Sequence, residues 1–331
     1  MVPRHTSRVL RPVQAHSRAQ WPHRERHSHH HHHEKAERHM NDMSGRRVIA
    51  VAGATGQVGS LIVEGLSGEG AIVRSLSRTP ARFDSAHPHV TNVSVDYKDP
   101  DSIASAVDGA NMLVISLGSS DDQARQEIAL IDAAMHAGVE HVVKVSSWSW
   151  PSRIHPLDWH LQVEDHLSKV DIGFSLLRPM TFTAVIGAQA ALIKNNLWGG
   201  AAGTRHANLI DIRDVADVAT RLILTGDASG STRRAYHLSG PDGLNVDGIA
   251  EHISRAIGRT VTYTHRTPDE QRAALLSLGM PEWTVELIIG IDVESFASGA
   301  STEKTSTVAD VLGRPPRSIP DWITENAELF Q

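Results

Sequence analysis

Three glycines at three-residue spacing, Gly53, Gly56 and Gly59, follow directly on the apolar run Val48-Ile-Ala-Val-Ala52. Glycine lets a backbone turn sharply and come close to a ligand, and the first N–H groups of a helix point outward unpaired. With Thr55, Gln57 and Val58 between them, these residues form a cradle for a phosphate, and the order strand, glycine turn, helix points to a dinucleotide. The alternative is a tight turn that wants glycine for its own geometry. Farther along, His160 and Glu164 stand four apart, on one face of a helix. That spacing suits two metal ligands, but no third candidate accompanies them, and no metal is expected. Trp148, Trp150 and Trp159 fall within a dozen residues of one another. Their flat rings suit stacking on a planar substrate, and suit equally well the plugging of a domain interface.

These residues need elements to hold them. The run at 48–52 is too short for a globular helix and reads as a buried parallel strand, and apolar residues Leu61, Ile62 and Leu66 then mark a helix packed on a sheet. Further strands are expected at 71–78, 90–95, 111–116, 141–147 and 172–177, alternating with helices. That alternation predicts an α/β fold, a Rossmann-type doubly wound parallel sheet with a smaller C-terminal α/β substrate domain. In such sheets ligands sit outside the carboxyl ends of the strands. The second strand ends at Arg78, with Arg82 nearby and no acid to accept from a ribose 2′-hydroxyl, which favours NADP(H) over NAD(H). Otherwise Arg78 is a solvated loop charge. Asp96 closes the third strand and either borders the adenine or caps a loop. Leu117 and Gly118 close the fourth, where small residues leave room for a cofactor. The tryptophan cluster follows the fifth strand. From 181 to 331 the pattern loses its glycine signature, with helices expected at 184–197, 246–257, 268–279 and 282–299 and short strands at 235–238 and 261–264.

Composition narrows the classes. The 331 residues include no cysteine, which excludes disulfides, thiolate metal sites and cysteine nucleophiles and accords with a cytoplasmic protein. No apolar run reaches the length of a membrane span. Residues 1–39 carry eight Arg/Lys against three Asp/Glu and ten of the 21 histidines, so the net charge of −6 leaves the remainder strongly acidic. An acidic body has no general affinity for nucleic acid. The stretch over 1–43 is read as a disordered His/Arg-rich extension, 44–180 as the dinucleotide-binding domain and 181–331 as the substrate side. The expected partner is a small aromatic molecule, and the expected assembly a monomer or homodimer.

Gly53-Ala-Thr-Gly56-Gln-Val-Gly59, Ser146-Ser147, the Glu164 helix leading to Leu176-Leu-Arg178-Pro179, and Asp211-Ile-Arg-Asp214 together resemble the NmrA-like branch of the atypical short-chain dehydrogenase/reductases. Gly279-Met-Pro281-Glu-Trp283 and Gly313-Arg-Pro-Pro-Arg317 resemble its quinone oxidoreductase and triphenylmethane reductase members. The resemblance implies that the glycine turn and Arg78 bind the cofactor, with Pro179 near the nicotinamide; Ser146 is also expected to border the cofactor, and Phe182 to join the tryptophans on the substrate side. It also exposes a departure. The wider superfamily uses a Tyr-x-x-x-Lys pair, but Tyr97, Tyr236 and Tyr263 are followed four residues on by Asp101, Gly240 and Thr267. If Glu164 aligns with the glutamate one turn past that lysine, His160 takes the lysine position and Pro156 the tyrosine position, and Ser146 or Ser147 is what remains of the usual catalytic serine.

Loss of that pair constrains the chemistry. Reducing an ordinary ketone forms a strongly basic alkoxide and needs an acid in the transition state, whereas a hydroquinone oxygen resembles a phenol, with a pKa of about 10. The expected function is therefore an NADPH-dependent reductase of a planar aromatic or conjugated acceptor, with His160, or a water held by it and Ser147, as proton donor. Two other readings remain open at this point: an NADP(H)-binding redox sensor without turnover, and a non-redox isomerase or lyase.

Overall fold

The structure, a computed structural model, describes residues 47–79, 83–84, 86–148 and 158–331. The extension over 1–43, Arg82, Trp150 and Pro156 lie outside the described residues. In chain order the described strands are β1 (Val48–Ala52), β2 (Ile72–Ser77), β3 (Val90–Ser94), β4 (Met112–Ile115), β5 (His141–Val145), β6 (Gly173–Pro179), β7 (Gly199–Gly200), β8 (Arg233–Leu238) and β9 (Thr264–His265). Seven of them form one parallel sheet in the order β3-β2-β1-β4-β5-β6-β8, and β7 pairs with β9 apart from it. The order reverses between β1 and β4, where Ala52 lies opposite Leu76 on one side and Ile115 on the other. Divergence of the connections at that reversal opens a crevice at the carboxyl ends of the strands.

The central strands are apolar throughout because both faces are covered. Ile49, Val51, Val114, Val143 and Leu177 face helices α1 (Gln57–Gly68) and α7 (Ile212–Leu224). Their strand neighbours Ala50, Ala52, Leu113, Ile115 and Leu176 face the opposite layer, made by α2 (Pro100–Val107), α3 (Gln123–His136) and α4 (Asp158–Lys169). Asp99 caps α2, its side chain accepting from the Asp101 N–H, with Pro100 in the first turn.

Beyond β6 the chain builds a second, smaller core. Helices α5 (Ala184–Ala188), α6 (Ala190–Lys194), α8 (Val246–Ile257) and α12 (Ile319–Glu325) surround Ile186, Ile193, Ile253, Trp322 and Phe330. Helices α9 (Pro268–Ser277) and α10 (Glu282–Gly290) add a satellite of Leu275, Val285 and Ile289. The chain also returns to the sheet after residue 180, through α7, β8 and Val308 of α11 (Thr307–Leu312). Three sequence expectations need adjustment. The helix expected over 184–197 breaks at Gln189, whose φ −90° and ψ 0° leave helical geometry. The helix expected over 282–299 changes at Ile291 into a π-helix, Ile291–Ala297. The strand expected over 261–264 pairs only at Thr264–His265.

Candidate active site

The glycine turn closes the end of β1. Gly53 has φ +78°, and a Cβ there would stand 2.0 Å from the Ser116 carbonyl oxygen, so the turn is pressed against the end of β4. A Cβ on Gly59 would stand 2.1 Å from the Gly53 oxygen, so α1 is pressed in turn against the loop. Gly56 is the N-cap of α1 in extended geometry, its N–H donating to the Gly53 oxygen at 2.9 Å, and no side chain caps the helix. The first-turn amides therefore face the crevice, where an anion would complete them. Gly118, two residues past the Ser116 carbonyl on which the turn presses, has open space where a Cβ would be. This arrangement fits a dinucleotide diphosphate.

Arg78 is exposed immediately beyond β2, and Ser77 before it pairs with Ser94 of β3. Asp96, exposed at the end of β3, accepts from the Lys98 N–H at 2.9 Å, which makes it a loop cap in this structure. Tyr97 beside it is buried, and burial pushes its hydroxyl up to about 12 while Arg78 pulls the other way.

Two polar networks occupy the carboxyl end of β5. Ser146 donates to Glu164 Oε1 at 2.6 Å, and Arg178 grips the same carboxylate with Nε at 3.1 Å and Nη2 at 2.6 Å. The Ser146 hydroxyl is thereby committed to Glu164, whereas Ser147 beside it is half-buried. The second network is buried deeper. The Lys144 ammonium is paired with Glu127, both fully buried, and lies 3.1 Å from His160 Nδ1. Gln123 Nε2 donates to Glu127 Oε1 at 3.1 Å and stands 3.5 Å from the same His160 nitrogen. Burial, and then the Lys144 charge, hold the His160 imidazolium well below the ordinary histidine range. His160 is therefore neutral near pH 7. The expected shuttle of ordinary pKa is replaced by an imidazole whose charged form is disfavoured by burial and by Lys144.

The remaining predicted residues are distributed along this edge. Pro179 ends β6 buried, its carbonyl accepting from the Trp148 N–H at 3.0 Å. Trp148 is itself buried and packs edge-to-face on His237 of β8, with ring centroids 4.9 Å apart. The packing alternative thus describes Trp148 better than a substrate platform does. Trp159 is half-buried at the start of α4, and Phe182 is half-buried against the sheet core, in a parallel bridge to Ile210. Sequence reasoning missed Lys144, Glu127 and Gln123. The signal was a lysine inside a strand otherwise fit for full burial, and an acid on the apolar stripe of α3 with Leu130, Ile131 and Ala134. Among the described residues no helix is long and apolar enough to cross a membrane.

Residues 53–225 match the sequence model of a family described as NAD(P)H-binding. The chain is 26% identical over 283 residues to Quinone oxidoreductase 2 of Escherichia coli strain K12, an alignment covering 84% of this chain and 98% of that one. It is 30% identical over 291 residues to the (4-alkanoyl-5-oxo-2,5-dihydrofuran-3-yl)methyl phosphate reductase of Streptomyces griseus subsp. griseus, covering 86% and 99%. Its fold superposes with a TM-score of 0.76 on an NADPH-dependent quinone oxidoreductase from Escherichia coli complexed with NADPH, at 25% identity over 84% of this chain and 99% of that one.

Proposed function

The chain belongs to the NAD(P)H-binding family matched over residues 53–225, and from that premise we propose that it is an NADPH-dependent reductase of planar conjugated acceptors, quinones foremost. The observation that carries this reading is the crevice at the β1/β4 reversal, where the Gly53 turn, the uncapped start of α1 and the open space at Gly118 accommodate a diphosphate. A dinucleotide held there would supply a hydride, and Ser147 and Pro179, at the carboxyl ends of β5 and β6, would border its reacting ring. Arg78 serves as the partner of the 2′-phosphate, since no acid stands at the end of β2 to hold a free 2′-hydroxyl. Gly53, Thr55, Gly56, Gln57, Val58 and Gly59 hold the diphosphate, with Leu117 and Gly118 across the crevice.

The acceptor class follows from the polar groups. Ser146 is tied to Glu164, and His160 is neutral, so neither offers the strong acid that a simple ketone requires. An acceptor whose reduced oxygen is phenol-like needs position and a hydrogen-bond donor, which Ser147 and neutral His160 provide. The names of the two curated relatives describe conjugated carbonyl compounds, which supports the same class.

The test is steady-state oxidation of NADPH by the purified full chain with three acceptor sets: para-quinones, azo dyes and saturated dialkyl ketones. Turnover is expected with quinones and not with dialkyl ketones. Tight NADPH binding without turnover on any acceptor would remove the reductase reading.

A further inference from the structure

The charge pair beneath β5 is placed oddly for a structural device. Lys144 is fully buried in a strand whose neighbours Val142, Val143 and Val145 are apolar, and it meets a glutamate from α3 that is equally buried. Isolated from water, such a pair is a poor source of stability compared with two apolar side chains. What it does have is a third partner, His160.

An ammonium has three donors and no acceptor. Lys144 Nζ uses them toward Glu127 Oε2, His160 Nδ1 at 3.1 Å and, more weakly, the Val145 carbonyl at 3.4 Å. The Gln123 amide nitrogen, its orientation set by donation to Glu127 Oε1, also faces His160 Nδ1. Two donors thus converge on one ring nitrogen, and neither can accept. Nδ1 must offer a lone pair, and the single proton of a neutral ring then sits on Nε2, at the opposite edge. Among the described residues, two acids of its own helix are also engaged: Glu164, one turn on, holds Ser146 and Arg178, and Asp158, one half-turn back, has an interaction of its own.

We propose that Lys144, paired with Glu127 and backed by Gln123, is a positioning residue that fixes His160 as the neutral Nε2–H tautomer, so that His160 meets the acceptor as a hydrogen-bond donor and not as an acid. The last clause rests on the reductase reading above; the tautomer does not. In the reaction the acceptor gains a hydride, and with it two electrons, from NADPH, and negative charge develops on its oxygen. His160 Nε2–H donates to that oxygen and keeps its proton, as a neutral imidazole can. The resulting phenolate-like anion takes its proton from water, so that quinone, NADPH and one proton become hydroquinone and NADP+.

The experiment is long-range 1H–15N spectroscopy of the full chain labelled with 15N-histidine, the His160 signals being identified by their loss in His160→Gln. At neutral pH the wild type is expected to show His160 as the Nε2–H tautomer. Lys144→Met should move it to Nδ1–H, to a mixture, or to the cation. Because Lys144→Met strands the Glu127 charge, the double variant Lys144→Met/Glu127→Gln, neutral throughout, is measured beside it and should lose the Nε2–H preference too. It should also lower kcat with a para-quinone about tenfold or more, with the NADPH dissociation constant unchanged. A wild-type His160 found as Nδ1–H or imidazolium overturns the proposal, and so does a tautomer indifferent to removal of Lys144. If the tautomer is as stated but no acceptor turns over, the reductase reading fails and the positioning role stands.

Discussion

A methyl group on Gly53 would have to displace the Ser116 carbonyl, because the Cβ position lies 2.0 Å from that oxygen and the backbone is left-handed, at φ +78°. Gly53→Ala should therefore cost about 2 kcal/mol or more of stability, read by chemical denaturation, and abolish NADPH binding. Arg78 carries the cofactor preference: Arg78→Ala should weaken NADPH binding about tenfold or more and leave NADH almost untouched, by titration calorimetry. Unchanged selectivity would remove Arg78 from the 2′-phosphate. Asp292, on the π-helix, lines a cavity of about 100 Å3 in the C-terminal core together with Trp198 and Tyr263, and burial there raises its carboxyl to about 6, against 3.8 for a free aspartate. Between those values the folded chain binds more protons than the unfolded one, so stability falls as pH rises and the penalty is complete above about 6. Asp292→Asn should then stabilise by up to about 3 kcal/mol at pH 8 and by nothing below about pH 4. At this scale the glycines were legible because their conformational need is written in the residue type. Lys144 was not, because a single cation in an apolar run does not say which helix will bring its counter-ion.

Elements differ in how openly the sequence announces them. The central strands were legible because a parallel strand covered on both faces must be apolar along its whole length, as β1, β4 and β5 nearly are. The break at Gln189 and the π-helix at Ile291–Ala297 were not: Gly187 and Gly290 stand beside them, but a glycine inside an apolar helix does not say whether the helix continues, breaks or widens there. Helices α1 and α7 show the same dependence on partners. Gly65 of α1 sits so close to α7 that a Cβ would lie 2.8 Å from Thr220 Oγ1. A bulky residue there must prise apart the layer that seats the glycine turn. Gly65→Val should cost about 1–3 kcal/mol in the unfolding free energy and weaken NADPH binding through displacement of α1. If it lowers stability without affecting NADPH, the turn does not depend on that seat.

The molecule as a whole is held together by carboxylates of α7 that reach the last segment of the chain. Asp214, fully buried, accepts from the Arg317 N–H at 2.7 Å and is paired with both the Arg317 and Arg314 guanidinium groups. Asp211 caps α7 through the Arg213 N–H and binds the Arg213 side chain, which bridges to Glu325 of α12. The sequence showed the Asp211-Ile-Arg-Asp214 and Gly313-Arg-Pro-Pro-Arg317 runs, but not that they meet. Asp214→Ala leaves Arg317 without its buried partner and should cost about 3 kcal/mol or more, read by denaturant unfolding. These bonds tie α7, which packs on the sheet, to α12 of the smaller core and the segment leading into it. The measurement that tests this account most directly is anaerobic mixing of the protein–NADPH complex with a para-quinone in a stopped-flow instrument, following both compounds. Loss of one NADPH for each hydroquinone formed, at a rate that saturates with quinone, is the predicted result; NADPH that stays bound and unoxidised while quinone is in excess would contradict it.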